Sequence, residues 1–471
     1  MNTTVFERNA PRPGVAAKAL AGAVHRPFWI DELERAAPRH PRLEGTASAD
    51  MVIIGGGYTG LWAALRAKER DPGRSVILLE GRRISWAASG RNGGFCESSL
   101  THGYENGLNR WPDELETLER LGLENLERME EAIAKYGMDC DWERTGELNV
   151  AVEPHQVEWL QEDAPGSVFL DQAAVRAEVN SPTYLAGRWY KDSVAMVHPY
   201  KLGLELARAA AELGVEIYED TRVLELGEYD GGVRAVTENG EVRAGQAVLG
   251  TNAYPSLLKR NKLMTVTVYD YALMTEPLTP AQLDSIGWRN RQGIGDMANQ
   301  FHYYRLSKDN RILFGGYDAL YFRGGRVNPR HENRPATWEK LAAHFFTTFP
   351  QLEGVKFSHK WAGPIDSSTQ FSAFFGTARK GRVAYAAGFT GLGVGATAFA
   401  ADVLLDLLSG ESTERTRLEM VRKRPLPFPP EPLASAGINL TRWSMDRADH
   451  NAGKRNIILK TLDAVGLGFD S

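Results

Sequence analysis

Three glycines and one acid, set at the spacing a dinucleotide needs, stand near the front of the chain. Gly55, Gly57 and Gly60 satisfy G-x-G-x-x-G, and Glu80 comes twenty residues after the last of them. Gly55 allows a tight turn, Gly57 lets a pyrophosphate approach the backbone, and Gly60 lets helix and strand pack closely. The flanks supply the context. Apolar Met51 to Ile54 reads as a buried parallel strand, Leu61, Ala64, Leu65 and Lys68 recur at helical spacing, and Arg74 to Glu80 gives a second strand. Tyr58 and Thr59 open a helix whose free N–H groups and partial positive charge suit phosphate. Glu80 is placed to take up a ribose hydroxyl pair and disfavours a 2′-phosphate. The stretch predicts an adenine dinucleotide site.

Two further glycine-rich stretches bear on the same ligand. Ser89-Gly90-Arg91-Asn92-Gly93-Gly94 follows the second strand; small residues there permit close backbone approach, and Arg91 can pair with phosphate. Far along the chain, Gly388-Phe389-Thr390-Gly391-Leu392-Gly393 leads into a helix through Leu408 and again sets glycine-exposed N–H groups at a helix start.

GGGYTG, the acidic strand end and SGRNGG together resemble the D-amino-acid oxidase superfamily of FAD enzymes. Tyr58 to Trp62 and Ser89 to Gly94 are most similar to its gamma-glutamylputrescine oxidase and aminophosphonate oxidoreductase branches. The resemblance implies FAD, with Glu80, Gly81 and Arg82 at the ribose end and Ser89 to Gly94 along the pyrophosphate and flavin edge. It further implies that Val223 clasps the adenine through its backbone, that Thr251 lies near the nucleotide, and that Gly388 to Gly393 meet the flavin pyrimidine. There a helix dipole stabilises the charge of reduced flavin. The C-terminal flavin loop has no cysteine and no histidine stands beside Ser89, so noncovalent FAD is expected.

The implied reaction is oxidation at a carbon bearing nitrogen. An amine is bound with its lone pair free, hydride passes to flavin N5, and the imine hydrolyses to an aldehyde or keto acid. No acid or base is needed once the amine is neutral, so positioning supplies most of the catalysis. Reoxidation by O2 with release of H2O2 is expected. The strand Arg311 to Gly316 lacks the lysine that the sarcosine oxidase branch carries there, which leaves a dehydrogenase with another acceptor open. Between a gamma-glutamyl amine and an aminophosphonate the sequence does not choose, although Arg305, Arg323 and Arg326 are available to a phosphonate.

The elements that must hold a substrate come later in the chain. Thr265 to Met274 reads as a long strand with Thr267, Tyr269, Tyr271 and Leu273 on one face. Phe301 to Leu306 and Arg311 to Gly315 form a hairpin across Ser307 to Asn310. Period two puts Phe301, Tyr303 and Arg305 on one side and His302, Tyr304 and Leu306 on the other; alternation leaves open which side meets the flavin. In the resembled family this sheet roofs the flavin, which makes Tyr303 and Arg305 candidate catalytic residues, with Trp361 a candidate wall. Arg305 reads equally as an ion partner on the sheet surface, and Trp361 as core packing. His198, before Pro199, reads as a helix cap.

The expected fold class is α/β: a discontinuous GR2-type Rossmann-like FAD-binding domain with a second, α+β substrate domain on a mixed, largely antiparallel sheet. The FAD domain is assigned 45–110, 191–260 and 366–424, and the substrate domain 111–190 and 261–365. Residues 1–44 form an extended arm, packed on the body by the aromatics of Pro27-Phe28-Trp29-Ile30, without evident chemistry. Residues 425–471 form a proline-rich strap and a terminal helix over Arg442 to Leu462. Within 111–190, Pro112 to Leu121 and Leu123 to Tyr136 read as two charged helical stretches.

Bulk properties narrow the class. The chain has 471 residues, 43% apolar and 24% charged, with a net charge of −5, which fits an ordinary soluble enzyme and supplies no basic face for nucleic acid or an anionic membrane. Two cysteines, Cys96 and Cys140, suit a reducing, cytoplasmic setting. Val383 to Leu408 is the most membrane-like run, but Asp402 and Asp406 interrupt it; no membrane and no metal are expected. Two rivals remain. An NADPH-dependent flavin monooxygenase would place an acid at Ala387-Gly388-Phe389, where there is none, and a flavin protein without catalysis would leave its flavin oxidised with every amine.

Overall fold

The computed structural model describes residues 3–162, 164–464 and 466–468. Two sheets carry the chain. The first runs, in spatial order, Val223–Tyr229, Gly232–Thr237, Gly240–Leu249, Gly45–Ile54, Val76–Leu79 and Val215–Tyr218, and Val383–Ala387 with its partner Phe374–Ala378 joins it beside Gly240–Leu249. Its centre is parallel. Met51 to Ile54 are fully buried, as their apolar run requires, while the strand extends outward through exposed residues to Gly45.

The chain leaves Gly45–Ile54 through the helix Tyr58–Arg70 toward Val76–Leu79, whereas Gly240–Leu249 lies on the other side. That reversal is a topological switch point, where α/β sheets open a crevice for ligands. Tyr58–Arg70 is almost wholly buried in one apolar cluster with the helices Pro199–Glu212 and Gly393–Ser409. Asp402 and Asp406 are ion partners there: Arg70 reaches them at 2.6 and 2.7 Å, and Arg128 and Arg415 complete the set. Among the described residues no helix is long and apolar enough to cross a membrane.

The second sheet has ten strands and is mixed, largely antiparallel, with Phe357–Ser368, Thr265–Thr275, Ile312–Gly316, His302–Leu306, Gly293–Asp296, Glu147–Ala151 and Ala186–Tyr190 as neighbours. The hairpin and the long strand stand where alternation put them. Tyr269, Tyr271, Tyr304, Leu306 and Phe314 pack under the helix Pro335–Thr348, so the opposite face looks toward the first sheet.

Three local expectations need correction. The arm is not extended: it forms short helices at Val5–Arg8, Val15–Leu20 and Phe28–Leu33. The two charged stretches are one helix, Leu115–Lys135, because Gly122 is not a break. A Cβ there would stand 2.0 Å from Ser98 O, so the glycine serves close packing. The terminal helix begins earlier and is split into Leu433–Asp449 and Ile457–Ala464, with Gly453 in the left-handed region between them. The outermost residues of arm and tail lie outside the described residues.

Candidate active site

A cavity of about 2510 Å³ separates the strand ends of the first sheet from the open face of the second. Ordinary ligand pockets hold roughly 300–1,000 Å³, so this space suits a dinucleotide together with a substrate.

Its nucleotide end is built by the fingerprint. Gly55 has φ 112, and a Cβ on it would meet Gly250 O at 2.5 Å; one on Gly60 would stand 2.0 Å from Gly55 O. Gly57 faces Ser89, whose Oγ accepts the Tyr58 N–H at 3.1 Å. Glu80 accepts from Gly56 N at 2.7 Å, Arg82 N at 2.8 Å and Trp86 Nε1 at 3.0 Å. Burial raises its pKa, and the two backbone donors oppose that. A carboxylate has about four acceptor positions; three are used, and the remaining one is available to a ribose hydroxyl.

Gly55, Gly57, Tyr58, Thr59, Glu80, Gly81, Arg82, Ser89, Arg91 to Gly94, Val223, Thr251 and Phe389 to Gly393 all line this cavity. Gly60, Gly90 and Gly388 are not part of its lining and sit behind it, each against neighbouring backbone or side chains that a Cβ would strike. Arg91 lines the cavity, but its terminal nitrogens are held by Glu332, Ala362 O and Trp86 O. Its Nε has no partner.

The segment after Arg91 is locked by its own side chains. Asn92 donates to Ala88 O and Ser89 O and accepts from Gly94 N. Trp29, from the arm, donates to Asn92 O at 3.0 Å, so the arm packs on the body through its aromatics and braces this segment. Gly388 N donates to Asp366, a carboxyl lining the cavity that burial pushes up to about 7 against the N–H groups of Gly388 and Phe389. Asp366 thereby fixes the turn into the helix Gly393–Ser409.

The substrate sheet settles the alternation. Trp361, Ala272, Gly315, Tyr303, Gly295 and Asn149 run in register across six strands, a row that faces the first sheet. Tyr303 lies between two glycines: Cβ atoms at Gly315 and Gly93 would stand 2.6 and 2.7 Å from its ring. Its hydroxyl donates to Asp270 Oδ2 at 2.5 Å. Burial pushes Asp270 up to about 6, and the Tyr303 bond restrains it. Burial, then Asp270, hold Tyr303 far above the ordinary phenol range. Trp361 lines the cavity and donates to Arg91 O at 2.8 Å.

Arg305 shares Tyr303's side of the strand but does not line the cavity. It is 2% exposed and donates from Nη1 to Val197 O at 2.7 Å and Gly94 O at 3.1 Å, a staple behind the wall. Burial brings its pKa down to about 10, so it stays charged at neutral pH. His198 caps the helix Pro199–Glu212, accepting from Lys201 N at 3.1 Å.

Sequence reasoning did not find Asp270, Asp366, Glu97 or Glu147, all of which line the cavity. Asp270 had a signal, as the lone charge in Thr265 to Met274. The others stand in short runs without a pattern of their own.

The residues present therefore fit an adenine dinucleotide: glycine-bared backbone at the helix start, a carboxylate with an unused acceptor position, and a long cavity reaching a polar aromatic wall. Comparison with known proteins agrees. A family model described as DAO, FAD dependent oxidoreductase, matches residues 50–407. A probable oxidoreductase OrdL of Haemophilus influenzae is 30% identical over 390 residues, 79% of this chain and 85% of that protein. Gamma-glutamylputrescine oxidoreductase of Escherichia coli is 30% identical over 388 residues, 79% and 86%. Among solved structures, glycine oxidase from Geobacillus kaustophilus superposes with TM-score 0.67 at 18% identity, covering 81% of this chain and all of that one.

Proposed function

The chain belongs to the DAO family of FAD-dependent oxidoreductases, and from that premise we propose that it oxidises the C–N bond of a small amine or amino acid, with O2 as electron acceptor and H2O2 as coproduct. Bound FAD supplies the hydride acceptor. Everything else falls to the chain's own residues.

The observation that carries the reading is the Tyr303 hydroxyl held by Asp270 between Gly315 and Gly93. With its proton donated to Asp270, the phenol oxygen presents lone pairs to the cavity and accepts an N–H, which orients an amine without protonating it. The ring and Trp361 give the site apolar walls, and burial there favours the neutral amine over the ammonium. A neutral amine keeps its nitrogen lone pair free to assist loss of hydride from the adjacent carbon. Water then hydrolyses the imine after release.

The FAD is read as noncovalent, since Cys96 and Cys140 are buried and neither lines the cavity; the two free thiols also suit a cytoplasmic location. The name of the Escherichia coli relative directs the first substrate trial to gamma-glutamyl amines. The test is the visible spectrum of the anaerobic holoenzyme mixed in turn with gamma-glutamyl amines, simple amines, D- and L-amino acids and aminoalkylphosphonates. Bleaching by one class and recovery in air with H2O2 is the expected result. A flavin that stays oxidised with all of them sinks the reading, and bleaching without recovery in air replaces O2 by another acceptor.

A further inference from the structure

Glu97 and Glu147 line the cavity, and the chemistry above uses neither. Glu97 ends the short strand Phe95–Glu97, directly after Gly93 and Gly94. Glu147 opens Glu147–Ala151 in the sheet that carries Tyr303. Gly295 pairs with Tyr303 on one side and with Asn149 on the other, and Glu147, two residues before Asn149, shares its face. Gly295 keeps the approach clear. A Cβ there would stand 3.1 Å from Glu147 Oε1 and 3.2 Å from Asn149 Oδ1, so these oxygens border space that any other residue would fill.

The remaining buried acids of the cavity are answered by the protein: Glu80 by three N–H groups, Asp270 by Tyr303, Asp366 by the turn at Gly388. Glu97 and Glu147 are not. Glu97 pairs with Val194, whose carbonyl accepts the N–H of Gly146 at 3.0 Å, immediately before Glu147, so the two acids stand close; burial raises Glu97, and burial followed by the charge of Glu97 raises Glu147. Two half-buried carboxylates side by side in a cavity are costly unless a cation accompanies them. Among the described residues no positive side chain pairs with either, and the cavity is where a cation can arrive.

We propose that Glu97 and Glu147 hold a cationic nitrogen of the substrate other than the one oxidised, so that the substrate class is an amine carrying a second nitrogen that stays protonated. The inference rests on the amine reading given above. The nitrogen that reacts must give up its proton, and two carboxylates around it would hold it as ammonium; the pair therefore suits a nitrogen that stays charged. An ammonium has three N–H donors, which match one oxygen from each glutamate and the Asn149 side chain. Tyr303 and Gly295 are cross-strand partners, so one molecule of modest length reaches both the phenol and the acid pair.

The test compares an α,ω-diamine with the monoamine in which a methyl replaces one ammonium. Affinity for the oxidised, anaerobic holoenzyme is read by calorimetry, and flavin bleaching is followed separately. The diamine is expected to bind about 30-fold more tightly, the worth of a hydrogen-bonded buried charge. Glu97→Gln and Glu147→Gln, checked for unchanged FAD content, are expected to remove that preference. Equal affinity for the two amines in the unsubstituted enzyme overturns the proposal without any variant, and so does a preference that survives the double substitution. If the diamine is preferred but neither amine bleaches the flavin, the ammonium site stands and the oxidation reading fails. If both bleach it with equal affinity, the reverse holds.

Discussion

Arg305→Met separates a residue that positions the site from one that meets the substrate. In the structure the guanidinium bonds Val197 O and Gly94 O. Gly94 O also accepts the Val197 N–H at 2.9 Å, so Val197 O loses its donor when the arginine goes, and Leu306 O loses the longer bond from Arg305 Nε at 3.2 Å. One unmatched buried carbonyl and two weakened ones cost about 3 kcal/mol. Against this stands the burial of an arginine with no ion pair among the described residues. The fall of its pKa from 12.5 to about 10 corresponds to about 3 kcal/mol of desolvation. Methionine fills the space of the aliphatic stem and no longer pays that penalty. The two effects nearly cancel, so the expected change in global stability is within about 1 kcal/mol. The local effect does not cancel, because the bond that ties Gly94 to the sheet is gone from the segment that borders the cofactor. Losing about 1.4 kcal/mol of that order weakens FAD about tenfold. Thermal melting, FAD titration of the apoprotein and steady-state kinetics on FAD-saturated enzyme read the three quantities. Unchanged FAD affinity with a KM for amine raised tenfold or more would refute the reasoning and return Arg305 to the substrate.

Other expectations test neighbouring parts. Gly60→Ala pushes a Cβ to within 2.0 Å of Gly55 O; overpacking of this kind costs about 1–3 kcal/mol, and purification with less FAD and a lower melting temperature is expected, whereas a full complement of FAD would show that the turn relaxes freely. Tyr303→Phe removes the N–H acceptor and takes from Asp270 its phenol donor, leaving the backbone N–H groups of Tyr271 and Gly316. The kcat/KM for amine is expected to fall about 10- to 100-fold with FAD content intact, and unchanged turnover would remove the phenol from the mechanism. His344, whose pKa burial and then the charges of His302 and Lys340 hold well below 6.5, is neutral in the fold. Its contribution to stability is present above pH 6.5 and is lost as pH falls through the lower folded value. The melting temperature is expected to fall on acidification below about 6.5, with a smaller fall in His344→Phe; parallel curves for the two proteins would show that other groups set the acid limit.

The parts of the site legible in the sequence are those written by neighbours in the chain. Gly55, Gly57, Gly60 and Glu80 fall within one strand, turn, helix and strand, so spacing alone implies their geometry. The hairpin at 301–315 was legible for the same reason, down to Tyr303 and Arg305 sharing a side of the strand. What that side faces is a tertiary fact. Arg305 is drawn to Val197 O and Gly94 O, more than a hundred residues away, and no local pattern distinguishes such a staple from a residue of the pocket. Trp29 bonds Asn92 O across the whole nucleotide fingerprint, and Glu97 comes near Glu147 only because separate sheets close on one cavity. Gly122 shows the converse failure, since its sequence signal is that of a helix break and its role depends on Ser98 from elsewhere in the chain.

The outer wall of the cavity comes from a stretch the family match does not include. That match ends at residue 407, whereas Ile438, Thr441, Arg442 and Met445 of the helix Leu433–Asp449 line the cavity. The segment is fastened at both ends: Glu431 accepts from Tyr321 at 2.7 Å and Gly324 N at 2.8 Å, and Asp449 accepts from Asn299 N at 2.9 Å and its side chain at 2.7 Å. One anchor grips the short strand Leu320–Tyr321 and the turn after it, and the other the connection between the strands Gly293–Asp296 and His302–Leu306. The two matched sheets therefore hold the dinucleotide and the phenol, and the tail sets the limit on what else fits beside them. Since shape discriminates poorly among small apolar groups but unmatched charge discriminates strongly, selectivity in such a site rests less on the tail's apolar contacts than on the charged positions they enclose. In this chain Asp270 and Asp366 are already bonded within the protein, which leaves that part to Glu97 and Glu147.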